Sequence, residues 1–396
     1  MTAKRSIFRR AVYLLYVLFA VFLLLEIGLR VYNPFHFRLK GDRIVLPANQ
    51  KQIITNRINP RLDPKIVNTR NSLGFRGPEL PDTGGGLLKI ITIGGSTTEC
   101  HFLNDEKTWP YLLGLKLSDS LPGCWVNNAG LDGHSTYGHI VLLNGVVKQL
   151  RPSVVIFLTG INDVENDGPT FHDRLNTRGS AADWRHYIFE NSEVLNLVLN
   201  FVRGWRAQKF NNTTDECIVL DSTQRRPLAD TVVRRRMALQ GPYLDAYRGR
   251  LLQLVDTCLA WHISPVLMTQ PNLFGAGKDP VTHADLELYP TDPGDHDMNG
   301  KLIWAMLEQY NDVVREVCRE KGILLIDLAR MMPKNSLYYY DMSHFTNEGA
   351  RLVAEIGSRP ARAGIAADAG RLYPIAPARA FASLIWPEGL IWSSRM

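Results

Sequence analysis

The sequence predicts an α/β protein built on a central parallel sheet with helices on both faces. Short apolar runs rich in β-branched residues recur between Leu88 and Leu328, and each is bounded by Gly, Pro or polar residues. Segments of helical periodicity alternate with them. Strand alternating with helix implies parallel strands joined by crossovers, because each crossover helix covers a sheet face.

Residues 1–10 contain Lys4, Arg5, Arg9 and Arg10, and an apolar run follows from Ala11, with Glu26 the only charge before Arg30. As a helix it is long enough to cross a hydrocarbon core of about 30 Å at about 1.5 Å per residue. The basic residues before it mark a cytoplasmic side, although Arg30, Arg38 and Lys40 reduce the asymmetry. The reading is an N-in, C-out signal anchor over residues 11–31. A cleaved signal peptide fits less well, since the run exceeds a usual h-region and no small-x-small site follows. The expected location is a single-pass membrane protein with its main domain on the extracytoplasmic side, and the bilayer is its first expected partner.

Residues 32–87 read as an irregular lead-in punctuated by Pro34, Pro47, Pro60, Pro64, Pro78 and Pro81. The main domain is expected over residues 88–358. Its strands are LKIITI (88–93), CWVNNA (124–129), SVVIFLT (153–159), SPVLMTQ (264–270) and ILLIDL (323–328). Its helices are expected near Trp109–Leu117, Ser135–Leu150, Tyr243–Trp261 and Asn299–Lys321, with a last one after Thr346 as N-cap. Residues 164–242 resolve into no strand-helix unit and read as an insertion beside the active face. The Ala-, Pro- and Arg-rich tail 359–396 shows no element and is expected to be peripheral. No internal repeat is visible.

Composition narrows the function. The chain has 396 residues, 45% hydrophobic and 21% charged, which excludes disorder throughout. Its five cysteines are too irregularly spaced for a disulfide framework or a zinc site, although one or two bridges stay open. The net charge of +6 is spread along an exported chain and argues against a nucleic-acid partner.

Chemistry enters at LKIITIGGSTTEC, where a strand runs into two glycines and Ser96. The stretch lacks the third glycine of a dinucleotide fingerprint and the Lys of a P-loop, and Thr98 stands where a nucleophile elbow needs glycine. Ser96 can still attack a carbonyl if a histidine takes its proton, a carboxylate orients that histidine, and fixed donors receive the oxyanion. YYYDMSHFTNEGA supplies Asp341 and His344 on one short turn. NNAGLDGHST ends the second strand with Gly130, whose N–H can approach a ligand, and FLTGINDV ends the third with Gly160, Asn162 and Asp163. Taken singly, each of these is better read as ordinary turn chemistry.

Their joint order resembles the four blocks of the SGNH hydrolases, also called GDSL esterases, over about Lys89 to Ile356. The resemblance implies a three-layer flavodoxin-like fold. It implies Ser96 as nucleophile, His344 as base and then acid, and Asp341 as orienter, with Gly130 N–H, the Asn162 side chain and Ser96 N–H as the oxyanion hole. It implies no metal and no organic cofactor. NSLGFRGPE (71–79) and LLLEIGLRVY at the anchor's outer end look like the membrane-anchored, extracytoplasmic branch of the family; within the first, Arg76 reads as a structural residue of a Gly-flanked turn. One departure stands out: Gly95 occupies the position of the family's Asp.

Two other groups draw attention. His283, Asp285, Asp292, Asp295, His296 and Asp297 lie in one loop, but their spacing matches no known cation loop and reads as a solvated acidic segment. His134 and His139 do not share a helix face, and His134 is a candidate for lining the cleft. The expected activity is a serine esterase removing small O-acyl groups, acetyl above all, from a cell-surface polysaccharide or glycan. The alternatives are a lipid esterase or thioesterase, an O-acyltransferase using the same three residues, and a non-catalytic carbohydrate-binding protein of the same fold.

Overall fold

The five apolar runs become five parallel strands in a computed structural model that describes residues 2–35, 39–40, 43–44, 46, 48–57, 59–82, 86–119, 121, 123–169, 173, 191–209, 219–292 and 294–372. In chain order the first part comprises helix α1 (Thr2–Val31), the antiparallel pairs β1 (Leu39–Lys40) with β2 (Arg43–Ile44) and β3 (Gln50–Thr55) with β4 (Lys65–Arg70), then strand β5 (Leu88–Gly94). Helices α2 (Ser96–Glu99) and α3 (Trp109–Ser118), strand β6 (Cys124–Asn128), helix α4 (Thr136–Gly145) and strand β7 (Val154–Leu158) follow. The rest comprises α5 (Glu193–Lys209), α6 (Asp230–Ala238), α7 (Gly241–Ala260), β8 (Ser264–Met268), α8 (Gly300–Lys321), β9 (Leu324–Ile326), α9 (Leu328–Met331) and α10 (Asn347–Leu372).

The sheet runs β6-β5-β7-β8-β9, every pair parallel, with Thr92 opposite Asn128 and Gly94 opposite Leu158. Alternate side chains feed two cores. Ile90, Val126, Ile156 and Met268 meet Trp109 and Leu113 of α3 and Val353 of α10 on one face. Ile91, Ile93, Phe157 and Leu267 meet Leu142 of α4, Leu251 of α7 and Val314 of α8 on the other. Burial on both faces is why these strands are apolar without alternation, and each buried aliphatic side chain stabilises the fold by about 1.5–3 kcal/mol. The chain leaves β5 for β6 on one side and then crosses to β7 on the other. That reversal is a topological switch point, where open α/β sheets form their clefts at the carboxyl ends of the strands.

Local signals fix the helix ends. Asn299 caps α8 by accepting from Leu302 N at 3.0 Å, and Gly322, at φ 62°, ends it. Thr346 Oγ1 accepts from Gly349 N at 3.1 Å at the start of α10. Three expectations need adjusting. The helix expected to Leu150 stops at Gly145 and tightens into a 3₁₀ turn over Val147–Leu150. The lead-in carries the hairpin β3–β4, of two six-residue strands flanked by prolines. The last helix continues through Pro360 to Leu372, so the expected tail begins inside it; residues 373–396 lie outside the described residues, as do 170–172, 174–190 and 210–218 of the 164–242 insertion, whose described part carries helices α5 and α6. One described helix, over Phe8–Val31, is long and apolar enough to cross a membrane.

Candidate active site

β5 delivers Ser96 through two glycines that are there for space. A Cβ on Gly94 would lie 2.0 Å from Thr98 Oγ1, and one on Gly95 would lie 2.5 Å from Asn162 Nδ2 and 3.1 Å from the His134 carbonyl. Glycine in place of the family's Asp therefore lets the Asn162 amide rest directly on the backbone before Ser96. The Ser96 N–H opens α2, where no preceding carbonyl of the helix is placed to accept it.

Three side chains from two ends of the chain then fall in line. His344 Nε2 is 2.7 Å from Ser96 Oγ, and His344 Nδ1 is 2.5 Å from Asp341 Oδ2. The other Asp341 oxygen accepts from the backbone N–H groups of Ser343 at 2.8 Å and His344 at 2.7 Å, so the carboxylate is held on both sides. Leu273 N, after β8, donates to Met342 O at 2.8 Å, and the Tyr340 ring stacks on the imidazole at 5.4 Å. Burial opposes charge on both groups, but the Asp341 carboxylate and its hydrogen bond outweigh it at His344, whose pKa is raised. At Asp341 burial is likewise outweighed, by the His344 charge and hydrogen bonds, and its pKa is lowered. With the Nδ1 proton directed at the carboxylate, Nε2 is left as the acceptor for the serine proton.

The expected donors are placed unequally. Asn162 Nδ2 donates to the His134 carbonyl at 2.9 Å, which uses one of the two amide hydrogens. Gly160, at φ 131°, makes the turn that brings it there. The expectation for Gly130 needs correction. Its N–H already donates to Asn128 Oδ1 at 2.8 Å, and a Cβ there would lie 2.4 Å from Glu99 N. Gly130 thus serves close packing of the β6 end against α2. The backbone facing Gly95 is the next turn, Leu131 to His134, closed by His134 N donating to Leu131 O and carrying Gly133 at φ 70°. His134 contributes its carbonyl, while its ring is buried; His139 is buried too, and burial lowers its pKa to about 4.

Supporting residues hold these parts in place; Asp163 and Arg76 were marked in the sequence, whereas Arg250, Asp173 and Arg70 were not. Asp163 accepts from Thr136 N at 3.1 Å and pairs with Arg250 at 3.1 Å, while Arg250 Nε donates to Thr136 Oγ1 at 2.7 Å. This buried cluster ties the residue after Asn162 to the start of α4. Asp173, from the insertion, accepts from Ser135 N at 2.7 Å and Gly138 N at 3.0 Å at the same helix end. Arg76 is buried as a staple: Nη1 donates to the carbonyls of Glu99 at 2.7 Å and Cys100 at 2.6 Å, Nη2 to that of Leu103, and Nε pairs with Asp105 at 2.7 Å. Arg70 pairs with Glu99, whose other oxygen accepts from Asp132 N at 2.6 Å. The lead-in segment thus clamps the helix that carries Ser96. Asp163 stood in the GIND block, but nothing in the sequence marked Arg250 as its partner.

The acidic loop is engaged locally. Asp292 accepts from Gly294 N, Asp295 pairs with Arg236 and Asp297 with Arg235, each pair at 3.0 Å. Among the described residues, Cys100, Cys124, Cys258 and Cys318 are free thiols; Cys217 lies outside them.

With this geometry in place, the profile of the GDSL-like lipase/acylhydrolase family matches residues 92–352. The chain belongs to that family. It is accordingly a hydrolase acting on ester bonds. No curated protein matches the sequence. Among solved structures it is similar to the acetylxylan esterase Axe2 of Geobacillus stearothermophilus, at 16% identity and a TM-score of 0.40, over 69% of this chain and 94% of that one. It is also similar to LAE5, an alpha/beta hydrolase from the metagenome of Lake Arreo, at 15% identity and a TM-score of 0.39, over 70% and 96%. Likeness at that level adds nothing on substrate.

Proposed function

We propose that this GDSL-family hydrolase is a serine esterase whose nucleophile is Ser96, acting on small O-acyl esters, acetyl above all, of a cell-surface glycan. The observation that carries the reading is the unbroken line from Asp341 through His344 to Ser96, at 2.5 and 2.7 Å, beside an amide packed on Gly95.

The steps follow from the atoms. Ser96 Oγ attacks the ester carbonyl as His344 Nε2 takes its proton, and Asp341 stabilises the imidazolium. The carbonyl electrons move to oxygen, which receives the Ser96 N–H and the second hydrogen of the Asn162 amide. Collapse breaks the bond to the alkoxy oxygen, which leaves with the proton from His344. Water then attacks the acyl-enzyme, giving its proton to His344, and collapse releases the acid and restores Ser96. Binding a single sugar hydroxyl in place of water would turn the second half into acyl transfer.

The location belongs to the same proposal: residues 11–31 cross the membrane, and the 88–358 domain works on the extracytoplasmic side, where acylated glycans are found. The test compares purified full-length protein on acetylated xylo-oligosaccharide, on short-chain and on long-chain chromogenic esters. Preference for the acetyl substrates supports the reading. Preference for long chains would replace it with a lipid esterase.

A further inference from the structure

Part of helix α5 shows the reverse of the pattern expected in water. Asn196 and Asn200 are 5% and 9% exposed, with Asn200 Nδ2 donating to the Asn196 carbonyl at 2.9 Å. Val198, Phe201 and Val202, spaced to share one helix face, are 53%, 56% and 40% exposed. A soluble amphipathic helix buries the second set and exposes the first.

The position of α5 places that exposed face beside the apolar helix α1. Glu26 of α1 caps its first turn, accepting from Glu193 N at 3.1 Å, Val194 N at 3.2 Å and Ser192 Oγ at 2.8 Å. Arg30 donates to Glu26 at 2.8 Å and to the Asn191 carbonyl at 2.5 Å, and Asn33 to Glu193 at 3.1 Å. Phe35 meets Phe201 edge to face, ring centres 5.7 Å apart. A carboxylate within a spanning helix is costly unless it is satisfied; here two backbone N–H groups, a hydroxyl and a guanidinium satisfy it. Glu26 lies five residues before Val31, about 7.5 Å along the axis. That is the depth at which interfacial helices bury their apolar face, about 5–10 Å.

We propose that α5 is an interfacial helix lying in the outer boundary of the bilayer that α1 crosses, with Val198, Phe201 and Val202 among the acyl chains and Glu26 as the clamp between the two helices. The proposal rests on the reading of α1 as a membrane span. It gives the catalytic domain a second attachment, so that the domain is held at the membrane surface instead of swinging on a tether.

The test uses full-length protein in phosphatidylcholine and phosphatidylglycerol vesicles containing a phospholipid with a diazirine in its acyl chain, irradiated and mapped by peptide mass spectrometry. Adducts on both α1 and residues 193–202 are expected. Adducts on α1 with none on 193–202 would overturn the proposal, and adducts on neither helix would overturn the span reading and this proposal with it. In the double variant Val198→Asp, Phe201→Asp, adducts on 193–202 are expected to fall on the order of tenfold or more. Adducts on α1 and fluorophosphonate labelling of Ser96 are expected to persist. Unchanged labelling of 193–202 in that variant would also overturn the proposal.

Discussion

Gly95→Ala isolates the close approach on which the proposed oxyanion hole depends. The added Cβ would stand 2.5 Å from Asn162 Nδ2 and 3.1 Å from the His134 carbonyl, whereas carbon–heavy-atom contacts are comfortable at about 3.5–4.0 Å. The amide has to retreat by about 1 Å, and it cannot do so without loosening its 2.9 Å bond to His134 O. A displacement of about 1 Å at a catalytic group costs about 10²-fold, and losing an oxyanion donor outright costs about 10²–10³-fold. The expected result is a kcat lower by about 10²-fold with KM little changed, measured by steady-state hydrolysis of a short-chain chromogenic ester. Asn162→Ala is expected to cost at least as much, and the double variant no more than about tenfold beyond the worse single, because both act through one amide. A Gly95→Ala enzyme within about threefold of the parent, beside an Asn162→Ala enzyme impaired 10²-fold, would refute the reasoning.

Other perturbations test the surrounding parts. His344 must be neutral to accept the serine proton and its pKa is raised, so kcat/KM is expected to rise with pH to a plateau, with an inflection above the ordinary histidine value; pH-rate profiles check this. Asp341→Asn removes the carboxylate that raises it, so the inflection is expected to move to lower pH while kcat falls by about 10⁴-fold. Arg76→Met leaves three buried carbonyls and Asp105 without their guanidinium and is expected to destabilise by about 3–5 kcal/mol in denaturant unfolding. Arg250→Met leaves the buried Asp163 carboxylate without its charge partner, with a cost of the same order, about 3–5 kcal/mol, and a lower kcat in whatever fraction remains folded.

The sheet was legible because its strands are buried on both faces and so appear as unbroken apolar runs, and two of the helices carry their own caps at Asn299 and Thr346. Strand order was not legible from those runs; it entered through the family resemblance. The β3–β4 hairpin escaped because its six-residue strands stand among prolines and its exposed face mixes Ile53 with Lys51 and Thr55, which leaves a weak period-two signal. Ser96, Asp341, His344 and Asn162 could be named only through the joint order of the four blocks, since singly each reads as turn chemistry; the fold then brings the first three into one line. For Gly130, spacing could not show that its N–H is already used by Asn128, a contact made across the end of its own strand. Arg250 and Asp173 contribute through contacts far apart in sequence, which no local pattern records.

The central claim is that Ser96 is the nucleophile, activated by His344. Its most direct test is active-site labelling of the full-length protein with a fluorophosphonate, with acetyl ester hydrolysis measured in parallel on the parent and on Ser96→Ala. The account predicts a single adduct on Ser96 in the parent, no adduct in Ser96→Ala, and hydrolysis reduced by about 10⁴-fold or more. An adduct at another residue, or hydrolysis that survives Ser96→Ala within about tenfold, would contradict it.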